Sequence, residues 1–317
     1  MVRKHTRRAA RAAYAVSLAV AILLGLTACG GSGSSSSSTT TGSSSTSKPT
    51  VTIGTKNFTE QYVLGQLYKQ ALEAKGYTVQ YKENIGSSEL IDTALKSGKI
   101  NFYPEYTGVI VTDLAKQKYP DSADATYQAA KTWEEGRGNT LFDRTPMTDQ
   151  DSFAMLKSTA DKLGVKTIGD MKKVKSFSYA GFPECKTRIT CLLGLKQIYG
   201  LTQVTFVPLA SISVYTLLDQ GKVTAGDGFT TDPQLQTGKY VTLEDTKHIF
   251  GFQNVAPVVS KKLADAGGSD LEDTVNAVSA KLTTAAIAAM NKAVGVDKKS
   301  PAAVAKQFLQ ANGLLGS

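Results

Sequence analysis

The strongest constraint on this sequence is a five-step pattern, strand, helix, strand, helix, strand, that recurs about 124 residues further along the chain. In the first pass, Val51-Thr52-Ile53 is a β-type run. After Thr59, the apolar residues Leu64, Leu67, Tyr68, Ala71 and Leu72 keep the spacing of an amphipathic helix that Gly76 ends. Val79 to Tyr81 alternates as a second strand, Ser87 and Ser88 are helix caps for a segment reaching Leu95, Gly98 stops it, and Ile100 to Tyr103 is a third strand. In the second pass, Phe177 to Ala180 is a strand, Arg188 to Tyr199 a helix stopped by Gly200, and Val204 to Phe206 a strand. A helix at Val214 to Leu218 follows, and Gly221-Lys222-Val223 matches Gly98-Lys99-Ile100. The paired glycines are 22 and 21 residues apart. A literal repeat and two generic βαβ units both give two α/β lobes with parallel sheets.

In open α/β sheets, ligands bind beyond the carboxyl ends of the strands. That rule nominates Thr55 to Thr59, Ile85 to Ser88 and Pro104 to Gly108 in the first half, and Gly181 to Arg188, Pro208 to Ser211 and Asp227 to Asp232 in the second. These loops mix aromatic faces with a few charges: Lys56, Asn57, Phe58, Glu105, Tyr106, Arg188, Phe229, Thr231 and Asp232.

The N-terminus has the parts of an export signal. Arg3, Lys4, Arg7, Arg8 and Arg11 precede an apolar stretch from Ala12 to Leu26, and Leu26-Thr27-Ala28-Cys29 closes it. The expectation is removal of residues 1–28, a diacylglycerol thioether on Cys29, and a protein exported and lipid-anchored on the outer face of the cell membrane. A plain cleavage site with an incidental cysteine is the alternative. Residues 29–48 are almost wholly Gly, Ser and Thr, a composition that cannot bury a core and gives a tether reaching about 25 Å.

The formal charge of +9 falls to +4 once the basic residues before Cys29 are set aside, leaving 31 basic against 27 acidic residues. No basic run remains to hold a nucleic acid. His248 is the one histidine after Cys29, so neither a His-based triad nor a His/Cys metal cluster has material. The expectation is no catalytic residue, no metal and no cofactor. Outside the cell, Cys185 and Cys191 point to a disulfide, with two free buried thiols or a nucleophilic Cys185 as alternatives.

Four stretches then carry a family resemblance: Gly54-Thr55-Lys56-Asn57-Phe58-Thr59-Glu60-Gln61, Tyr103-Pro104-Glu105-Tyr106-Thr107-Gly108, Gly194 to Gly200, and Asp227-Gly228-Phe229-Thr230-Thr231-Asp232. In order across the whole mature domain, the chain resembles the glycine betaine/choline/carnitine-type substrate-binding proteins of ABC importers. The resemblance implies a two-lobed type II periplasmic-binding fold with a ligand cleft between lobes. Lobe one would be residues 49–150 plus 256–317 and lobe two residues 151–255, with crossovers near Ser152 to Leu156 and Phe252 to Ser260. A monomeric receptor would pass a small quaternary ammonium or zwitterionic ligand to a membrane permease driven by a separate ATPase subunit, since no phosphate-binding loop is present here.

The resemblance also implies residue roles. The family's aromatic cage falls on Tyr106, Phe153, Tyr215 and Phe229, and similar proteins usually have tyrosine where Phe153 and Phe229 stand. Val109 replaces a threonine that can help hold a carboxylate. Lys56 and Arg188 occupy positions whose charge could grip a carboxylate, while Asn57, Thr231 and Asp232 are polar contacts or loop organisers. Trp133 lies outside every strand-end loop and is assigned to helix packing. The alternatives are another cargo, such as ergothioneine or an amino acid, and an extracellular enzyme on the same fold.

Overall fold

The structure, a computed structural model, describes residues 48–209 and 212–315. Cys29, the signal segment and the tether up to residue 47 lie outside the described residues.

Ten strands form two five-stranded sheets. Sheet one contains β1 (Val51–Lys56), β2 (Val79–Gly86), β3 (Phe102–Tyr106), β4 (Asn139–Leu141) and β10 (Val255–Ser260), in the order β2-β1-β3-β10-β4. Sheet two contains β5 (Asp151–Leu156), β6 (Phe177–Gly181), β7 (Val204–Pro208), β8 (Ala225–Phe229) and β9 (Tyr240–Leu243), in the order β7-β6-β8-β5-β9. The orders superpose: β1, β2 and β3 occupy the places of β6, β7 and β8, and all those neighbours pair in parallel. The twofold sequence pattern is therefore a twofold topology. Gly98 and Gly221, the matched stops, both take a left-handed backbone, φ 69° and 64°, which side chains with a Cβ rarely adopt.

The sheets are mixed, not wholly parallel as expected. β5 is the first strand after the chain enters lobe two, β10 the first after it returns, and each inserts antiparallel to both of its neighbours. Since β5 and β10 are laddered into their own sheets, the expected crossovers at Ser152 to Leu156 and Phe252 to Ser260 shift toward the N-terminus, to residues 142–150 and 244–254. There Thr148 bridges Asn254. The Asn254 side-chain amide donates to the carbonyls of Thr145 and Met147, both at 3.0 Å, so the two passages are tied side by side.

The first helix, α1 (Thr59–Ala74), buries the five apolar residues that its periodicity nominated. They pack against sheet one and against the C-terminal helices, with Tyr68 hydroxyl 2.9 Å from Ser279 Oγ. Each fully buried Leu of this face contributes about 1.5–3 kcal/mol. The second helix, α2 (Ser88–Lys96), follows Ser87 as expected. The expected strand at Ile100 to Tyr103 moves to Phe102–Tyr106, which puts Tyr106 at the strand's carboxyl end. The expected helix from Arg188 to Tyr199 shortens to Leu192–Gln197, and a 3-10 turn, Pro183–Thr187, precedes it. Arg188 thereby lies on extended backbone, φ −93° and ψ 137°, between two cysteines.

Candidate functional site

The carboxyl ends of the parallel strands face one another across a cleft with two arms. Asn57, Phe58, Asp149, Phe182, Asp227 and Phe229 line both arms.

Three rings form a near-parallel row through this cleft. Phe58 stands in the middle, 6.4 Å from Tyr106 and 5.4 Å from Phe229 between centroids, with interplanar angles of 15° and 14°. Phe58 and Tyr106 belong to lobe one and Phe229 ends β8 of lobe two, so the row spans both lobes. The Lys56 ammonium lies 4.2 Å from the Tyr106 centroid and 5.5 Å from that of Phe58. A cation over these faces is held by the ring quadrupoles. Phe58 and Phe182 had no assigned part in the cage; both sit in the nominated strand-end loops, which was the available signal.

Phe153 is corrected from the cage to the core. It is fully buried, 5.1 Å from Tyr179 and 6.0 Å from Phe177 between centroids, and lines neither arm. β5 runs antiparallel to β8, so its first residue, Asp151, reaches the cleft edge opposite Phe229, while Phe153 is a step deeper opposite Asp227. Tyr215 lines the second arm together with Phe58 and Phe229, packed edge-on against Tyr240 at 4.8 Å with its hydroxyl donating to Asp232 at 2.8 Å.

Both expected carboxylate grips have protein partners, while Arg188 also lines the first arm and its Nε donates no hydrogen bond. Lys56 is buried, ion-paired with Glu105 and 3.3 Å from Ser88 Oγ. Burial pulls its ammonium below the ordinary lysine range, and Glu105 acts against that pull. Arg188, in lobe two, sends Nη2 to both carboxylate oxygens of Glu89 on α2, at 3.2 and 3.1 Å, and its Nε lies 3.5 Å from Asp113 of lobe one. Thr231 is also spent across the lobes: it donates to Glu60 Oε2 at 2.8 Å, which Asn291 also reaches at 2.8 Å. The other oxygen of Glu60 accepts from the Tyr106 hydroxyl at 2.7 Å. Asp232 orients neighbours, accepting from the Phe229 amide at 2.8 Å as well as from Tyr215. Asn57 is exposed at the mouth of both arms.

The cleft wall is acidic, and of its aspartates only Asp227 falls in a nominated loop. Asp149, Asp151 and Asp227 line it. Asp149 accepts from the Thr231 amide at 3.1 Å, and burial, then the charges of Glu60 and Asp232, raise its carboxyl well above the usual range. Asp227 accepts from the Tyr179 hydroxyl at 3.3 Å and is raised by burial and then by Asp151. Burial also pushes Asp151 up to about 7, with Arg188 opposing. Buried carboxylates raised in this way gain from an added cation.

Cys185 and Cys191 are joined in a disulfide on the same wall. With Asp227 they are the one grouping among the described residues close enough to hold a metal, but both sulfurs are bonded to each other. Trp133 is partly buried on the helix Ala123–Glu135, with the Arg137 guanidinium 3.9 Å from its ring, remote from the cleft.

Known proteins match this chain over most of its length. The chain is 30% identical over 280 residues to the glycine-betaine-binding protein of Pseudomonas aeruginosa, covering 84% of this chain and 89% of that one. It is 27% identical over 273 residues to the ergothioneine transport permease/ergothioneine binding protein of Helicobacter pylori, covering 84% of this chain and 48% of that protein. A solved structure described as a glycine betaine/carnitine/choline ABC transporter matches 84% of this chain and 99% of its own, with a TM-score of 0.67 at 23% identity, and the shared fold is the two-lobed type II periplasmic-binding fold. The pattern of one family, the substrate-binding domain of ABC-type glycine betaine transport systems, matches residues 49–311, and this chain belongs to that family.

Proposed function

We propose that the chain captures a quaternary ammonium solute, of the glycine betaine, choline or carnitine kind, among Phe58, Tyr106 and Phe229, and delivers it to an ABC permease. The family consists of transport binding proteins, not enzymes. The observation that carries the cargo is the ring row with an ammonium group already seated 4.2 Å from Tyr106. A methylated ammonium donates no strong hydrogen bond, so ring faces and buried carboxylates are the groups that recognise it. Each ring contributes roughly 0.5–2 kcal/mol, and with Asp149, Asp151 and Asp227 nearby the roughly 8 kcal/mol of micromolar binding is within reach. Isothermal titration of the purified full chain with choline, glycine betaine and carnitine tests this; no heat with any of them refutes the cargo.

A second reading has its own support. The Helicobacter pylori relative is named for ergothioneine, and the second arm extends the cleft past the rings toward Tyr215. Competition titration separates the two, since ergothioneine would then displace choline at lower concentration. Lipid attachment at Cys29 and delivery by a membrane-anchored monomer complete the proposal; mass spectrometry of the mature N-terminus tests the anchor.

A further inference from the structure

We propose that the second arm is a subsite for an apolar tail, so that the solute is a quaternary ammonium compound extended by a short acyl or alkyl chain, such as an O-acyl ester of a quaternary ammonium alcohol. The two arms share Phe58 and Phe229, so a cation seated on the ring row has both arms open to its substituents. Asp232 Oδ2 accepts from the Phe229 amide and from the Tyr215 hydroxyl, each at 2.8 Å, which ties the last ring of the row to the helix Val214–Asp219 on the wall of the second arm. Besides the rings, this arm presents apolar side chains from both lobes, Leu209, Ile212 and Val214 from lobe two and Val294 from lobe one. Leu209 and Val214 pack in one buried cluster with Tyr215. Ile212, between them in sequence, is instead 47% exposed, one of four large apolar residues so exposed among the described residues. It stands in the loop that follows β7, at the carboxyl end of a strand, where ligands are met.

The charged groups of this arm are already engaged. Glu60 accepts from Tyr106, Thr231 and Asn291, Asp149 from the Thr231 amide, Asp227 from Tyr179, and Asp232 from its two donors. Asn291 Oδ1 has no partner but is itself enclosed. Lys298, the one cationic side chain lining the arm among the described residues, donates to the Gly295 carbonyl at 2.6 Å. A polar tail would have to displace such bonds, whereas methylene groups displace only water from Leu209, Ile212, Val214 and Val294. A fully buried methylene is worth about fourfold in affinity, and beside a half-exposed Ile212 the expected gain is about twofold. The inference deepens the quaternary ammonium reading, on which the cationic head of the ligand rests.

The test is isothermal titration of the purified full chain with choline and its O-acetyl, O-butyryl and O-hexanoyl esters. Affinity should rise by about twofold per methylene, which is about 16-fold from the acetyl to the hexanoyl ester. Ile212→Ser and Val294→Ser, one in each lobe, should each cut the slope of log affinity against chain length to about half or less. Equal losses for choline and every ester, with the slope unchanged, overturn the tail subsite. O-hemisuccinylcholine has the chain length of the butyryl ester and ends in a carboxylate, so it should bind more weakly than that ester; tighter binding overturns the proposal in favour of an anion contact at Lys298. Affinity that stays flat or falls with chain length while choline binds refutes the subsite and leaves the quaternary ammonium reading standing. No heat with choline or any ester refutes that reading and the subsite with it. The wild-type series decides the matter by itself if either serine variant fails to fold.

Discussion

Replacing Lys56 by methionine distinguishes an internal ion pair from a ligand contact. The Lys56 side chain is 4% exposed and Glu105 is 0% exposed. Glu105 Oε1 accepts from both Lys56 and the Tyr106 amide, and its Oε2 has no partner. Lys56→Met keeps the stem and removes the charge, leaving a buried carboxylate with one amide donor, a loss worth about 3–5 kcal/mol. For a domain of this size each kcal/mol lowers Tm by about 2–4 °C, so the variant should melt about 6–20 °C lower. Glu105→Gln in the Lys56→Met background should restore most of the loss, because a neutral amide oxygen still accepts from Tyr106 and leaves no unpaired charge. The double-mutant cycle should give a coupling of about 2 kcal/mol or more. Calorimetric scans of the four proteins measure it. A Lys56→Met penalty below about 1 kcal/mol, or a double variant no more stable than the single, refutes the reasoning. A large loss of betaine binding without loss of stability would return Lys56 to the role of carboxylate grip.

Phe58→Ala should weaken quaternary ammonium binding about 2- to 30-fold by titration calorimetry, because one ring of the row is removed. Phe153→Ala should leave affinity within about threefold and cost about 3–5 kcal/mol of stability by denaturant titration, since its ring packs in the lobe-two core. Asp151 is raised to about 7, and Asp113 and Asp232 to about 6, in each case first by burial. A carboxyl raised on folding stabilises the protein fully below its unfolded pKa of about 4, and that contribution is lost as pH rises through 6 to 7. Melting without ligand should therefore drop from pH 5 to pH 7.5 by an amount that Asp151→Asn reduces. Cation binding favours the ionised carboxylates, so affinity should instead rise across pH 6 to 8 with proton release, which titration in buffers of different ionisation enthalpy detects.

Much of this protein is determined by local sequence. Spacing of apolar residues and glycine stops placed α1, α2 and most strands, because those signals depend on neighbours a few residues apart. Strand ends located the cleft, and Tyr106 and Phe229 come together with Phe58 there because parallel strands bring their carboxyl ends to one edge. The fate of the charges was decided only by tertiary structure. Lys56 finds Glu105 across 49 residues, Arg188 finds Glu89 across 99, and Glu60 collects Thr231 and Asn291 across 171 and 231. Periodicity carries no information about such pairs, since residues this far apart in sequence meet only when strands and lobes assemble. The same holds for Phe153, an aromatic whose role turned on β5 running antiparallel, so that Asp151 took the cleft edge and the ring went to the core.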